Sequence, residues 1–573
     1  MSMMGFLPRL LFMVTVLGLA ISAEKEWWQT MSLYQIYPRS YMDSDGDGVG
    51  DLRGISSKLD HLKDSNVDAF WLSPFYPSPM VDFGYDISNF VDVDPIYGTL
   101  EDFGNLVEQA HAADIKVIVD FVPNHSSDKH EWFQKSVKNI APYSDFYVWM
   151  NGTIQDDGSI GRPNNWVSVF GGPAWTWNDE RKAYYFHQFA PEQPDLNFEN
   201  EEVVQEMKNV MRFWLDKGVD GFRIDAVPHL CEDQRLLNEP LTGNTEDVNN
   251  YGYIDHIYTK DQPKTYDIVK QWREVLDEYK TKDGASRVMM IEAYTDTPLT
   301  MKYYQYGAHF PFNFWFINSV NKHSSAADFK SVVDRWMSEM PEGATANWVA
   351  GNHDQARLAT RYGTRLAQMV TIMTLLLPGV GVTYLGDEIG MENTFISWED
   401  TKDPQGCNAG IDGYASASRD PERSPFQWDN STSAGFSTNP HTWLPVNPNY
   451  LKLNLAVEKL QSDSLFKMYR DVSALRKWPV VREGNLTTRL INDDIFAFSR
   501  QELGQRSVYV IFNFKNEAQV VDLNVFEHVP NVLAVYRSTY QHDSLLVPGE
   551  GESSSSLPVP PLGAAIYVTP LTA

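Results

Sequence analysis

The segment Gly221-Phe-Arg-Ile-Asp225 sets an arginine and a carboxylate two residues apart. On a strand, Arg223 and Asp225 point to the same side. A guanidinium beside a carboxylate favours the ionised form, which a nucleophile needs. The same spacing also serves plain structural ion pairs, so alone it says little. Glu292 closes the apolar run Val288-Met-Met-Ile. A carboxyl there is partly desolvated, which raises its pKa and suits a general acid. One nucleophile plus one acid is the equipment of a retaining glycosidase. Asn352-His353-Asp354 adds a third carboxylate and an imidazole, and Asp120-Phe-Val-Pro-Asn-His125 adds another such pair. Each histidine, taken alone, is more readily a satisfied core residue than a ligand. No His-x-x-x-His or Cys-x-x-Cys spacing supports zinc.

A second cluster offers oxygen only: Asp43-Ser-Asp45-Gly-Asp47-Gly-Val49-Gly-Asp51. Alternate carboxylates turning around glycine suit Ca2+. The loop is not a full EF-hand, because its twelfth position is Gly54. An Asp/Gly turn without metal has the same composition.

These residues need elements that bring them together. Short apolar runs recur at Leu33-Tyr-Gln-Ile-Tyr, Ala69-Phe-Trp-Leu, Lys116-Val-Ile-Val-Asp-Phe-Val, Gly221-Phe-Arg-Ile, Val288-Met-Met-Ile, Trp348-Val-Ala-Gly and Val380-Gly-Val-Thr-Tyr-Leu. Continuous runs of this kind read as buried parallel strands. Between them, Phe103, Leu106, Val107 and Ala110 repeat at helical spacing, as do Val203, Met207, Val210 and Trp214. The alternation predicts an α/β chain with a (β/α)8 barrel, whose strand ends gather Asp120, Asp225, Glu292, Asp354 and Asp387 on one face. Residues 126–200, rich in Trp, Pro, Gly and Asn, break the rhythm and read as an irregular inserted domain after the third strand. The barrel then covers 24–125 and 201–478. From 479 to 573, alternating stretches such as Val508-Tyr-Val-Ile-Phe-Asn-Phe predict an antiparallel β-sandwich.

The chain has 573 residues and a net charge of −29. A field of that sign repels phosphate backbones and anionic lipid, which sets nucleic acid aside as a partner. Hydrophobic residues at 43% suffice for a large core and exclude wholesale disorder. Two cysteines, Cys231 and Cys407, make no disulfide framework; one bridge or two free thiols both fit. The apolar run at 10–21, followed by Ser22 and Ala23, has the form of a signal peptide over 1–23. No other run is apolar enough for a membrane helix, so the mature chain is expected to carry none. Asn151-Gly-Thr, Asn430-Ser-Thr and Asn485-Leu-Thr are glycosylation sequons, in keeping with a secreted glycoprotein.

Taken together, the blocks resemble the α-amylase superfamily of retaining α-glycosidases. Asp120-Phe-Val-Pro-Asn-His125, Gly221-Phe-Arg-Ile-Asp225, Ile291-Glu292 and Gly351-Asn-His353-Asp354 stand in that family's order, with Gln193-Pro-Asp-Leu-Asn197 as a fifth block. The resemblance implies Asp225 as nucleophile, Glu292 as acid and then base, and Asp354 as the group holding the distorted glucose. It implies Arg223 as the residue orienting Asp225, and Asp86, His125 and His353 as sugar ligands. Gln193-Pro-Asp-Leu-Asn197 and Ser424-Pro-Phe-Gln-Trp-Asp429 are similar to the maltase and oligo-1,6-glucosidase branch, insect maltases in particular. In that branch Arg423 would help close a one-glucose pocket, with Arg419 nearby. Ala226, small beside the nucleophile, would favour α-1,4 bonds, as in maltose, sucrose and short oligosaccharides. The family also implies a structural Ca2+ on Asp43, Asp45, Asp47, Asp51 and the carbonyl of Val49. Two rivals share the pattern: a transglucosylase, and a non-catalytic transporter heavy chain or receptor on the same fold.

Overall fold

The computed structural model describes residues 25–540 and 546–570. The expected leader lies outside them. Eight parallel strands form the central sheet: β1 (Ser32–Ile36), β2 (Ala69–Leu72), β3 (Lys116–Phe121), β4 (Gly221–Ile224), β5 (Val288–Ile291), β6 (Phe310–Pro311), β7 (Asn347–Val349) and β8 (Val380–Tyr384). Hydrogen-bonded neighbours run β6-β5-β4-β3-β2-β1-β8-β7. The remaining junction, between β6 and β7, is sewn mainly by a side chain. Asn347 accepts from the Asn313 N–H and donates to the Pro311 carbonyl, each at 2.7 Å. One backbone bond, Val349 N–H to Asn313 O at 3.3 Å, completes the seam.

The strands are buried on both faces, which is why they read as continuous apolar runs. Leu33, Trp71, Ile118, Met290, Phe310 and Val382 fill the barrel interior. Their neighbours Tyr34, Phe70, Val117, Val119 and Met289 pack outward on the surrounding layer. β6 escaped the sequence reading. It is two residues long, one of them Pro311, and has too little pattern to register.

The helix Glu201–Asp216 leads into β4. It buries Val203, Val204, Met207, Val210, Met211 and Trp214 on one stripe, and the Asn200 side chain caps its first turn. At the start of β4, where it pairs with Val288 of β5, Gly221 has no room for a side chain: a Cβ would stand 2.3 Å from the Val288 carbonyl oxygen. Residues 126–200 carry one short helix, Glu131–Val137, and two small antiparallel sheets, of which the larger pairs Ala183–Phe186 with Trp149–Met150 and Trp175–Asn178.

After the helix Pro479–Glu483 the chain enters a six-stranded antiparallel sheet backed by a two-stranded one. Phe496, Phe498, Val510, Phe512 and Ile566 face the barrel helices. Ile495, Ala497, Tyr509, Ile511 and Tyr567 face Val521, Leu557 and Val559 of the smaller sheet. Both faces are thus covered, as a sandwich requires. Cys231 is buried, Cys407 exposed, and both are free thiols.

Candidate active site

Asp225 and Glu292 each sit one residue beyond a barrel strand. Their backbone N–H groups continue the ladder, donating to Phe121 O and Ile224 O at 2.9 Å. Both carboxyls are therefore fixed by the sheet, at the C-terminal mouth of the barrel. Arg223, within β4 and 1% exposed, joins them. Its Nη1 lies 2.5 Å from Asp225 and 2.9 Å from Asp120, and its Nη2 lies 2.6 Å from Glu292. One guanidinium thus serves three acids, two more than its partnership with Asp225 implied. Asp120 is further held by Trp71 Nε1 at 3.1 Å and by the Tyr85 hydroxyl at 3.3 Å.

Burial raises both catalytic carboxyls, and Arg223 only partly offsets it. Asp225 is pushed up to about 7, with the charges of Asp120 and Asp354 adding to burial. Glu292 is pushed up to about 8, with Asp225 and Asp354 adding. The guanidinium therefore does not keep Asp225 in the ordinary carboxylate range, as its strand neighbour Arg223 alone would. The two carboxyls share one guanidinium and feel each other's charge, so the pair loses its protons in two steps and holds a single proton between them. Ala226, next to the nucleophile, has φ of +48°. Its N–H donates to Glu292 Oε2 at 3.0 Å.

Asp354 behaves oppositely. Burial pushes it up, but its neighbour His353 and the permanent charges of Arg419 and Arg423 outweigh burial and hold it well below the usual range. Arg423 Nη2 is 2.8 Å and Arg419 Nη1 3.2 Å from the same oxygen of Asp354. Burial keeps His125 and His353 neutral, His125 down at about 4. His353 lies between Gln35 (2.8 Å) and the Tyr85 hydroxyl (2.7 Å), and 3.3 Å from Asp354.

These groups line a cavity of about 320 Å³, at the small end of the range for ligand pockets. Asp225, Glu292, His125, His353 and Asp354 all face it. Two expected ligands do not. Asp86 is fully buried, and its carboxylate is taken up by Ser78 Oγ and by the N–H groups of Val81 and Asp82, at 2.7 to 3.1 Å. It shapes its own loop, and the residues that loop presents to the cavity are Asp82 and Tyr85. Arg423 is fully buried behind Asp354, its Nε bonded to the His353 carbonyl at 2.9 Å. Of the two arginines it is Arg419 that reaches the cavity, bridging to Asp82 at 2.8 Å and to Asp403 at 2.5 Å. Sequence reasoning missed Asp82, Tyr85, Phe170, Phe189, Lys260 and Tyr294, all lining residues. The signal for Asp82 and Tyr85 was their place in Asp82-Phe-Gly-Tyr-Asp86; for the others, on irregular loops, there was none.

In the acidic loop, Asp43, Asp45 and Asp51 offer oxygens within 4.8 Å of one another. The Asp47 carboxylate falls outside that group. Burial, with the charges of Asp45, Asp43 and Asp51, raises the Asp47 carboxyl. Asp43 accepts from the N–H groups of Asp45, Gly46 and Gly48, and Asp51 from those of Ser44 and Gly54; the donors are all hard oxygens, the type that Ca2+ takes.

A sequence profile described as "Alpha amylase, catalytic domain" matches residues 35–484. The chain is 56% identical over 515 residues to "Alpha-glucosidase" of Apis mellifera, covering 90% of each chain. It is 49% identical to "Maltase 1" of Drosophila virilis, over 89% of this chain and 82% of that one. Among solved structures, the alpha-glucosyl transfer enzyme XgtA superposes with a TM-score of 0.83 at 33% identity, over 96% of this chain and 100% of that one.

Proposed function

Because this chain belongs to the α-amylase family and is a glycoside hydrolase of the α-glucosidase type, we propose that it removes terminal α-1,4-linked glucose from maltose, sucrose and short oligosaccharides with retention of configuration. Ionised Asp225 attacks the anomeric carbon while Glu292 donates its proton to the departing oxygen. A covalent β-glucosyl ester results. Glu292, now a carboxylate, takes a proton from water, whose oxygen attacks the same carbon and frees Asp225. Asp354 stays ionised throughout and holds the sugar hydroxyls as positive charge develops on the ring. His125 and His353, both neutral, hydrogen-bond the same ring, and Tyr85 joins them. The Arg419–Asp82 bridge at 2.8 Å walls one end of the cavity, which limits it to a terminal unit and makes the enzyme exo-acting.

The observation that carries this reading is the shared guanidinium. Asp225 and Glu292 sit on two arms of Arg223, and burial raises both carboxyls. Proton nuclear magnetic resonance of maltose hydrolysis by the purified protein tests it. Glucose appearing first as the α-anomer is expected; the β-anomer first, or no glucose, overturns the reading.

The loop of Asp43, Asp45 and Asp51 would hold one Ca2+, with Asp47 and the Val49 carbonyl completing its shell. The ion would tie the turn after β1 together and take no part in the chemistry. Secretion and N-glycosylation fit the leader-like run and the three exposed acceptors, Asn151, Asn430 and Asn485. Among the described residues, no helix is long and apolar enough to cross a membrane.

A further inference from the structure

A cavity of about 290 Å³ opens at the N-terminal end of the barrel strands. His309 lines it, one residue before β6. Glu292 stands one residue after β5, and β5 and β6 run parallel. The cavity and the catalytic acid are therefore at opposite ends of the sheet.

The backbone settles the state of His309. Its Nδ1 accepts from the Met289 N–H at 3.0 Å, and its own backbone N–H donates to the Met289 carbonyl at 3.0 Å. The residue is 6% exposed. Burial, with the charges of Arg273 and Lys280, pushes its pKa well down, so the ring is neutral. A neutral imidazole whose Nδ1 accepts carries its proton on Nε2. That N–H has no hydrogen-bond acceptor among the described residues.

A second donor is fixed in the same lining. Arg273, on the helix Pro263–Asp283, gives its Nη1 to the Gly307 carbonyl and its Nε to Asp277, each at 2.9 Å. Neither bond uses Nη2. Gly307 is cut to fit it: a Cβ there would stand 2.8 Å from the Arg273 Cβ.

The remaining wall is flat and apolar. Trp28 meets the His309 ring edge to face, with centroids 4.6 Å apart, and stacks on Phe310 at 6.3 Å. Tyr304 and Pro341 complete it. Two N–H donors beside aromatic faces match a carboxylate on a planar apolar body, since each oxygen can take one N–H. The volume, at the lower limit for small-molecule sites, leaves room for a single ring. We propose that this cavity binds small aromatic carboxylates, apart from the catalytic centre. Among the described residues of its lining, the exposed Glu342 is the one carboxylate. Its charge opposes such a ligand and gives a diagnostic.

Benzoate is the probe. Calorimetric titration into the purified full chain should give one saturable site. Benzyl alcohol, the same ring without the charge, should bind at least about tenfold more weakly. His309→Asn keeps an acceptor for the Met289 N–H but removes the Nε2–H, and should weaken benzoate about tenfold. Glu342→Gln, at an exposed position, should tighten benzoate about two- to threefold by removing a like charge. Maltose kinetics should be the same with and without saturating benzoate. The assignment is overturned by no saturable binding, by benzyl alcohol binding as well as benzoate, or by competition between benzoate and maltose. It is equally overturned by unchanged binding to folded His309→Asn, or by binding to Glu342→Gln no tighter than to wild type. If His309→Asn does not fold, benzyl alcohol and Glu342→Gln decide alone.

Discussion

The backbone N–H of Ala226 holds the carboxylate of Glu292 at 3.0 Å, so the residue after the nucleophile also positions the acid. It does so from a left-handed conformation, φ +48°, that L-residues adopt at a cost. A β-branched side chain fits that conformation worst. Ala226→Val should lower the thermal midpoint, reflecting about 1–3 kcal/mol of added strain, and reduce kcat more than it changes KM. Ala226→Gly should keep the geometry and most of the activity. Equal kcat for all three proteins would show that this amide does not position the acid.

The pH profile follows from the two catalytic carboxyls. Activity needs Asp225 ionised and Glu292 protonated. As pH falls through about 7, Asp225 gains a proton and the rate drops; as pH rises through about 8, Glu292 loses one and the rate drops again. The log of kcat/KM against pH should form a narrow bell with those limbs. Stability responds too. The Glu292 pKa is higher in the folded state than its ordinary 4.5, so its contribution is full below that value and lost as pH rises through about 8. Glu292→Gln should therefore lose less thermal stability than the wild type between about pH 5 and pH 8, the range over which that contribution falls. Parallel losses would place the raised carboxyl elsewhere.

Asp225→Asn should leave the fold intact and abolish turnover, by about 10⁴-fold or more, because the amide cannot attack carbon. Circular dichroism confirms the fold and glucose release gives the rate. Activity within about tenfold of wild type would remove Asp225 from the nucleophile role.

Much of this site was legible from residue order alone. The parallel strands announced themselves because both faces are buried, and each chemical block lies at a strand end where the sheet fixes it. Asp225 and Glu292 needed no loop geometry to be placed, whereas Asp354 lies in a turn five residues beyond β7. Asp86 shows where sequence order stops. It stands one residue from Tyr85, yet three donors within its own loop turn its carboxylate inward and leave Asp82 to face the cavity. Arg419 and Arg423 are four residues apart in a region without regular periodicity, and only packing against Asp354 and Asp82 separates their roles. β6 was invisible for a simpler reason, its length of two residues.

The seam beside β6 gives a stability test. Asn347 is fully buried, and its amide replaces strand pairing between β6 and β7. Asn347→Ala leaves the Asn313 N–H and the Pro311 carbonyl without partners, each costing about 1–3 kcal/mol. Chemical denaturation should show a loss of that order, roughly 2–6 kcal/mol for the two together. A loss below about 1 kcal/mol would mean that water or backbone movement closes the seam.

If Ca2+ occupies the acidic loop, a chelator should lower the thermal midpoint, and added Ca2+ should restore it. Asp45→Asn should blunt the response, since one of the three converging carboxylates is then neutral. An unchanged midpoint with no metal found by elemental analysis would leave the loop as a turn.

The bond between Arg419 and Asp82 spans 337 residues of sequence. During synthesis, the wall of the sugar pocket cannot exist until the chain has emerged from the ribosome well past residue 419. Every earlier nascent intermediate, however much of the barrel it has assembled, lacks that wall. The closed end of the pocket is thus among the last parts of the site to be completed.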